Sequence, residues 1–148
     1  MIPETSEKIS KLILVIEDAV ILRDSLKEIL ILEGFDVVTA ANGQEALDYL
    51  MQGMRGDRPR GKMSQKPTLI LLDLDMPVMN GVEFLTQLAV QSDLSQIPVI
   101  VCSGSQNNLD NLKIKPAAIV PKPFDIEELI AACKRHSLSV TVSSQGQR

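Results

Sequence analysis

The chain contains no tryptophan, one tyrosine and three phenylalanines, so aromatic residues make up only 3% of its 148 residues. The hydrophobic core must therefore be packed from Leu, Ile, Val, Ala and Met, and the hydrophobic content of 45% is enough for a sizeable one. The length is that of a single ordinary domain.

Cysteine and histidine are also scarce, with two residues and one residue respectively. Cys102 and Cys133 lie in separate apolar segments without a neighbouring cluster of Cys or His, and His136 falls late in the chain. This distribution predicts reduced thiols in the core and argues against a disulfide or a zinc site.

The sequence also lacks long apolar runs. No stretch approaches the roughly 20 residues of a membrane span, and residues 1–11 lack the apolar core of a signal peptide. We therefore expect a cytoplasmic protein without membrane contact. The net charge of −4 gives no bulk attraction to nucleic acid, so direct nucleic-acid binding is not expected.

Short apolar runs alternate along the chain with segments of helical periodicity. The runs are typical of strands covered on both faces, and they span residues 12–16, 35–40, 68–72, 97–102 and 117–120. Helices are predicted over 19–33 and 42–52, after Asn80 and after Asp125. The last three begin with Asn or Asp followed three residues later by Glu, a pattern that favours a helix start. The alternation predicts a parallel sheet with helices on both faces and right-handed crossovers.

Chemically active side chains follow four of these strands. Glu17 and Asp18 follow the first strand, Asp73 the third, Ser103 the fourth and Lys122 the fifth. The carboxyl ends of parallel strands lie at one edge of a sheet, and ligands bind there where the strand order reverses. We therefore expect these five side chains to converge.

Three carboxylates in one pocket repel one another, by about 4 kcal/mol for two unit charges 4 Å apart at an effective dielectric near 20. Mg²⁺ would relieve this repulsion, because it prefers carboxylates, carbonyls and water as ligands. We expect Asp18 and Asp73 to bind the ion directly, Glu17 to act through water, and the backbone carbonyl of Asp75 to add one oxygen.

A carboxylate can also attack a phosphoryl group and form an acyl phosphate. In that chemistry Asp73 is the acceptor, Lys122 and Mg²⁺ neutralise the transferring oxygens, and Ser103 donates a hydrogen bond to one of them. Gly104 leaves room for an incoming donor. Each residue taken alone has an ordinary explanation as a helix cap, a turn residue or a solvated lysine, so the specificity lies in the combination.

These residues make the chain similar to a response-regulator receiver domain, the phospho-accepting module of two-component signalling, over about residues 11–136. The matching motifs are Ile16-Glu17-Asp18, Leu72-Asp73-Leu74-Asp75-Met76-Pro77, Asn80-Gly81, Val101-Cys102-Ser103-Gly104 and Pro121-Lys122-Pro123-Phe124. The resemblance implies a flavodoxin-like, three-layer α/β/α fold around a doubly wound five-stranded parallel sheet of order 2-1-3-4-5. It also implies a cis Lys122-Pro123 peptide bond.

By the same resemblance, a histidine kinase or phosphotransfer protein phosphorylates Asp73 with Mg²⁺ as cofactor. The receiver catalyses only its own phosphorylation and dephosphorylation, and it changes its protein contacts when Ser103 is drawn inward. Ile119 occupies the second switch position, where the family often has an aromatic residue, so switching by an aromatic ring is in doubt here. Asp75, Gly104 and Ser105 are the positions expected to tune the lifetime of the phosphate.

The resemblance leaves residues 1–10 as a polar extension and residues 137–148 as a weakly ordered tail. The segment between Ser103 and Lys122 is short for the family, so we expect a brief helix there. No effector motif follows residue 136, which favours a stand-alone receiver of the chemotaxis type. A fragment of a larger regulator and a homodimer remain open, and the sequence does not identify the downstream target.

Two other functions stay open at this level. The Asp73-Leu74-Asp75 motif resembles the nucleophile motif of haloacid-dehalogenase-type phosphatases, although Pro77 replaces the usual Thr or Val and the other acids precede the nucleophile. The second alternative is a pseudo-receiver that keeps the fold as an interaction module without phosphorylation.

Overall fold

The computed structural model describes residues 11–55, 66–76, 78–104 and 112–137. Within these ranges, strands and helices alternate as the sequence predicted. The elements are β1 (Leu12–Ile16), α1 (Val20–Leu32), β2 (Asp36–Ala40), α2 (Gly43–Arg55), β3 (Leu69–Asp73), α3 (Gly81–Ala89), a 3₁₀ turn (Leu94–Gln96), β4 (Val99–Ser103), β5 (Ala118–Pro121) and α4 (Ile126–His136).

The strands form one sheet of order β2-β1-β3-β4-β5, and every neighbouring pair is parallel. The predicted order 2-1-3-4-5 is therefore confirmed. The three central strands, β1, β3 and β4, are buried at every residue, because helices cover both faces of the sheet. This explains why these strands are apolar throughout.

Alternate residues of each central strand supply two separate core layers. Leu14 and Ile16 of β1 pack in the layer formed with α2 and α3, whereas Ile13 and Val15 pack in the layer formed with α1 and α4. The result is the expected three-layer α/β/α arrangement.

Both cysteines lie in the second of these layers as free, buried thiols, as predicted. Burial raises the pKa of Cys102, and it raises the pKa of Cys133 to about 12. The two thiols are therefore protonated at neutral pH and behave as small apolar core residues.

The predicted helix starts are largely present. Asn80 and Glu83 form a reciprocal capping box on α3, and Asp125 accepts hydrogen bonds from two backbone N–H groups in the first turn of α4. Asn42 accepts from the N–H of Glu45 at 2.9 Å, but the Glu45 carboxylate accepts from Ala41. These bonds satisfy amide groups that a helix start leaves without partners.

Several predicted boundaries were wrong. Helix α2 continues to Arg55, whereas the sequence placed its end near residue 52 and a loop from Gly53. A single glycine inside a helix costs only about 1 kcal/mol, which does not by itself end the helix. β3, β4 and β5 each end one residue later than predicted, so that Asp73 and Ser103 are the last residues of their strands.

Ser137 also differs from its predicted place in a weakly ordered tail, because it is buried. Its hydroxyl lies 2.8 Å from the hydroxyl of Thr68, which in turn donates to the carbonyl oxygen of Leu12.

The predicted extension 1–10, the tail 138–148 and residues 105–111 of the expected brief helix lie outside the described residues. In the described part of the chain, no helix is long and apolar enough to cross a membrane.

Gly81 begins α3 at a point where the helix touches the chain just after β3. A Cβ at Gly81 would lie 2.6 Å from Cα of Leu74 and 2.9 Å from the carbonyl oxygen of Asp73. We therefore expect Gly81→Ala to lower the free energy of unfolding by about 1–3 kcal/mol through overpacking, measured by urea denaturation.

Gly104→Ala is the matched control, because a Cβ at Gly104 would meet no atom of the described residues within 4 Å. Its midpoint should stay close to that of the parent protein. Equal midpoints for Gly81→Ala and the parent would contradict the steric argument.

Candidate functional site

The carboxyl ends of the strands bring together residues that are far apart in the sequence. Lys122, directly after β5, places Nζ 3.2 Å from Oδ1 of Asp73 at the end of β3. The same Nζ lies 3.2 Å from Oε1 of Glu17, which directly follows β1. One ammonium group thus bridges two carboxylates from different strands.

Glu17, Asp18 and Asp73 form an acidic cluster. One carboxylate oxygen of each lies within 4.8 Å of the others. Oxygen donors at this spacing suit a hard divalent cation such as Mg²⁺. Among the described residues, the ammonium group of Lys122 is the one that contacts the cluster. The donor set therefore fits the metal expected from the sequence.

Asp75 differs from the other three predicted metal ligands. Its side chain is exposed, and it is not part of the acidic cluster that the described residues form. Its backbone N–H donates to Oδ1 of Asp73 at 3.0 Å. The proposed contribution of its carbonyl oxygen to the metal stays a prediction.

The Asp73 side chain is held asymmetrically. It is only 3% exposed, and both Lys122 and the backbone N–H of Asp75 contact its Oδ1 atom. Oδ2 carries neither of these contacts. Among the described residues, both of these contacts therefore fix the orientation of the carboxylate through the same oxygen.

Glu17 is buried and makes hydrogen bonds through both its backbone and its side chain. Its N–H donates to the carbonyl of Ala40 at 3.1 Å, and Oε2 accepts from the N–H of Ala19 at 3.2 Å. Burial raises the pKa of the Glu17 carboxyl, and the neighbouring Asp73 raises it further, against the opposing effects of Ala19 and Lys122. Crowding of acids in a poorly solvated pocket therefore outweighs the stabilising donors.

Lys122 stays charged in this setting. Burial by itself lowers the pKa of the ammonium, but the carboxylates of Asp73 and Glu17 more than offset this, so the pKa is raised. Its backbone N–H donates to the carbonyl of Ser103 at 3.0 Å, which joins the ends of β4 and β5. The Lys122-Pro123 peptide bond is cis, in agreement with the expectation.

The remaining predicted site residues occupy different environments. Ser103 is the buried last residue of β4, on the strand between those that carry Asp73 and Lys122. Gly104 is exposed, with open space beside it. Ile119 lies on the edge strand β5 and is 46% exposed. Ser105 lies outside the described residues.

One polar contact at the site was not predicted from the sequence. The Arg23 side chain, one turn into α1, donates from Nη1 to the carbonyl oxygen of Glu17 at 3.1 Å. The only available signal was a basic residue five positions after Asp18, in the first turn of the predicted helix, and on an amphipathic helix such a residue usually indicates a solvated face.

The doubly wound sheet, together with an acidic cluster and a lysine at the strand ends, defines the class of response-regulator receivers. Family comparison agrees, since the response regulator receiver domain matches residues 13–134. The chain therefore belongs to this family.

The curated relatives differ in how much of their own length this chain covers. The alkaline phosphatase synthesis transcriptional regulatory protein SphR of Synechococcus elongatus is 34% identical over 90% of this chain and 51% of its own length. Sporulation initiation phosphotransferase F of Bacillus subtilis is 30% identical over 84% of this chain and 91% of its own length. The chain thus spans about half the length of some of these relatives and nearly all of others.

Solved structures give the same fold. Chemotaxis protein CheY4 of Vibrio cholerae superposes with a TM-score of 0.71 over 86% of this chain and 98% of its own, at 24% identity. The response regulator TrrA of Thermotoga maritima, solved in complex with Mg²⁺-BeF, has a TM-score of 0.65 at 28% identity and covers 84% of this chain and 97% of its own.

The excess of negative charge in the cluster has a consequence for stability. Neutralising Asp18 removes repulsion from Glu17 and Asp73, so we expect Asp18→Asn to raise the free energy of unfolding in metal-free buffer by about 1 kcal/mol. Urea denaturation in the presence of a chelator measures this change.

The matched control is Asp24→Asn, which makes the same charge change at an exposed position of α1 and should stay within about 0.5 kcal/mol of the parent. A loss of stability in Asp18→Asn would show that mutual repulsion does not dominate the metal-free site.

Proposed function

We propose that this protein is a phosphorylation-dependent signalling switch in which Asp73 accepts a phosphoryl group from a histidine kinase or phosphotransfer protein. The observation that carries the proposal is the buried Asp73 carboxylate, which Lys122 contacts at 3.2 Å inside an acidic cluster. Such an arrangement positions a nucleophile and neutralises charge in one place, which is the main requirement of phosphoryl transfer.

The chemistry follows from how the carboxylate is held. An oxygen of Asp73 attacks phosphorus, a P–O bond forms, and the bond between phosphorus and the donor's imidazole nitrogen breaks. Lys122 and the N–H of Asp75 already occupy Oδ1, so Oδ2 is the oxygen we assign as the nucleophile. The product is an acyl phosphate on the end of β3.

Glu17, Asp18 and Asp73 are the residues that would hold Mg²⁺, with the Asp75 carbonyl as a further ligand. When bound, Mg²⁺ supplies positive charge for the transferring phosphoryl oxygens. Lys122, which contacts Asp73 at 3.2 Å, would supply a second positive charge, and the Ser103 hydroxyl would donate a hydrogen bond to a phosphoryl oxygen.

The phosphoryl group would act as a switch through these donors. A shift from 1:99 to 99:1 between two states needs about 5.5 kcal/mol of differential interaction, and two or three charge-assisted hydrogen bonds at about 1.5–3 kcal/mol each can provide it. Inward movement of Ser103 would be transmitted to β5, whose exposed Ile119 marks the output surface. The side chain at this position is aliphatic, so it has no ring that could change rotamer.

The partner surfaces are expected on either side of the site. Helix α1 begins with Val20 and Ile21, which are 57% and 82% exposed, and carries Ile31 further along at 48%. Exposed aliphatic groups at the start of α1, which follows the strand end carrying Glu17, suit the helices of a phosphodonor protein. We propose that this receiver acts through protein contacts. The relatives that are named as transcriptional regulators are about twice as long as this chain.

The acceptor assignment is tested by intact-mass measurement after incubation with acetyl phosphate and Mg²⁺. We expect the parent protein to gain the mass of one phosphoryl group, and Asp73→Asn to gain none, because an amide cannot form the acyl phosphate. Omission of Mg²⁺ should reduce the parent's gain.

Two results would contradict this assignment. No added mass on the folded parent protein would favour a pseudo-receiver. Continuous turnover of small phosphate esters that is abolished by Asp75→Ala would favour a phosphatase of the haloacid-dehalogenase type.

We further expect Asp75 to shorten the lifetime of the acyl phosphate by orienting an attacking water. Its side chain is exposed, while its backbone is bonded directly to Asp73. Asp75→Asn should lengthen the half-life about tenfold, less than the factor of about 10²–10⁴ typical of a well-positioned general base. Loss of the added phosphoryl mass with time measures it.

Asp93→Asn, at an exposed position after α3, serves as the control for the charge change. Equal half-lives for Asp75→Asn, Asp93→Asn and the parent would end the tuning role of Asp75.

A further inference from the structure

The turn between β1 and α1 is closed by a ring of hydrogen bonds. Oε2 of Glu17 accepts from the N–H of Ala19 at 3.2 Å. The carbonyl of Ala19 accepts from the N–H of Arg23 at 2.8 Å. Nη1 of Arg23 then returns to the carbonyl of Glu17 at 3.1 Å. Arg23 therefore contributes both its backbone and its side chain to this turn.

Helix α1 begins without an ordinary side-chain cap. Ala19 is the N-cap residue of α1 and has no side chain that could accept from the first turn, and the first turn carries no acidic residue. The other three helices begin at Asn42, Asn80 and Asp125, which do accept such bonds. At α1, the turn that carries the acidic pair is held instead by the carboxylate of Glu17 and the guanidinium of Arg23.

We propose that Arg23 is a positioning residue for the metal centre, which fixes the backbone of the Glu17-Asp18 turn so that both carboxylates point toward Asp73. The inference rests on the proposed function, since it assigns the cluster to Mg²⁺. Arg23 bonds to a backbone carbonyl and to none of the cluster's carboxylate oxygens, so it acts on the ligands through the backbone that carries them.

Arg23 has two opposing effects on the affinity for Mg²⁺: its positive charge lowers the affinity, and its hydrogen bond to the backbone raises it. As a positive charge near a cation site, Arg23 would weaken metal binding, by about 30-fold for a unit charge 4 Å from a divalent ion in water before any screening by salt. As an outer residue that orients ligands, it would strengthen binding by about 10- to 100-fold. The half-buried guanidinium is in contact with solvent, and water and salt weaken its repulsion of the cation, so we expect orientation to dominate.

The first test is the dissociation constant of Mg²⁺, measured by calorimetric titration of the full chain. Arg23→Ala should bind Mg²⁺ about tenfold more weakly than the parent. Arg23→Lys keeps the charge and one donor group and should recover part of this loss. Arg135→Ala removes an exposed arginine at the end of α4 and should leave the constant unchanged. Equal or tighter binding by Arg23→Ala would overturn the proposal.

The second test needs neither metal nor phosphate. In metal-free protein, Arg23→Ala should accelerate hydrogen exchange of the Ala19 amide about tenfold, while the amide of Leu14 in the buried strand β1 keeps its rate. Equal acceleration at both amides would indicate general destabilisation and would overturn a specific positioning role.

Phosphorylation kinetics separate this proposal from the acceptor assignment. The slower rate of Arg23→Ala with acetyl phosphate should return to within about twofold of the parent at saturating Mg²⁺, because only metal affinity has changed. A deficit that persists at saturation would contradict the proposal. If the parent itself is never phosphorylated but Arg23→Ala still loses Mg²⁺ affinity, Asp73 fails as the acceptor while the role of Arg23 stands.

Discussion

The Lys122 ammonium group between the carboxylates of Asp73 and Glu17 is the interaction on which the site depends. Burial of two acids at neighbouring strand ends is unfavourable unless a cation lies between them. Lys122 meets both at 3.2 Å, and it keeps its proton because their negative charge outweighs the effect of its own burial. The same contact fixes one oxygen of Asp73 and leaves the other without either donor.

The parallel sheet makes this contact possible. β1 and β3 are neighbours at the centre of the sheet, and β5 lies at its edge beyond β4, so the lysine side chain must reach inward past the end of the intervening strand. A long flexible side chain suits that span, whereas a short one would not. Ser103, at the end of the intervening strand, lies between Asp73 and the edge strand β5.

The site also shows why a receiver is poised to respond to its ligands. Three acids face one ammonium group, so the metal-free pocket holds unbalanced negative charge that a divalent cation or a change at Asp73 can alter. Stability and function therefore oppose each other at these strand ends, as is common where a binding site keeps like charges close. The surrounding layers of Leu, Ile and Val hold the strands in place without taking part in the chemistry.

The amino-acid sequence determined the alternation of strands and helices, because an apolar run covered on both faces differs plainly from a 3.6-residue period. The sequence also identified the five residues at the strand ends. A residue that follows a buried apolar run can be recognised from the sequence without any knowledge of distances. Helix and strand ends were placed within a few residues only. A glycine such as Gly53 weakens a helix without ending it, and the burial of Ser137 depends on Thr68, far away in the chain.

Only the tertiary structure decided how the site is held. The bridge from Lys122 to two carboxylates, the asymmetric hold on Asp73 and the contact from Arg23 to the Glu17 carbonyl each join atoms whose separation depends on how strands and helices pack. Hydrogen bonds and ion pairs form or fail over a few tenths of an ångström, and no pattern of residue types along a chain encodes distances that fine.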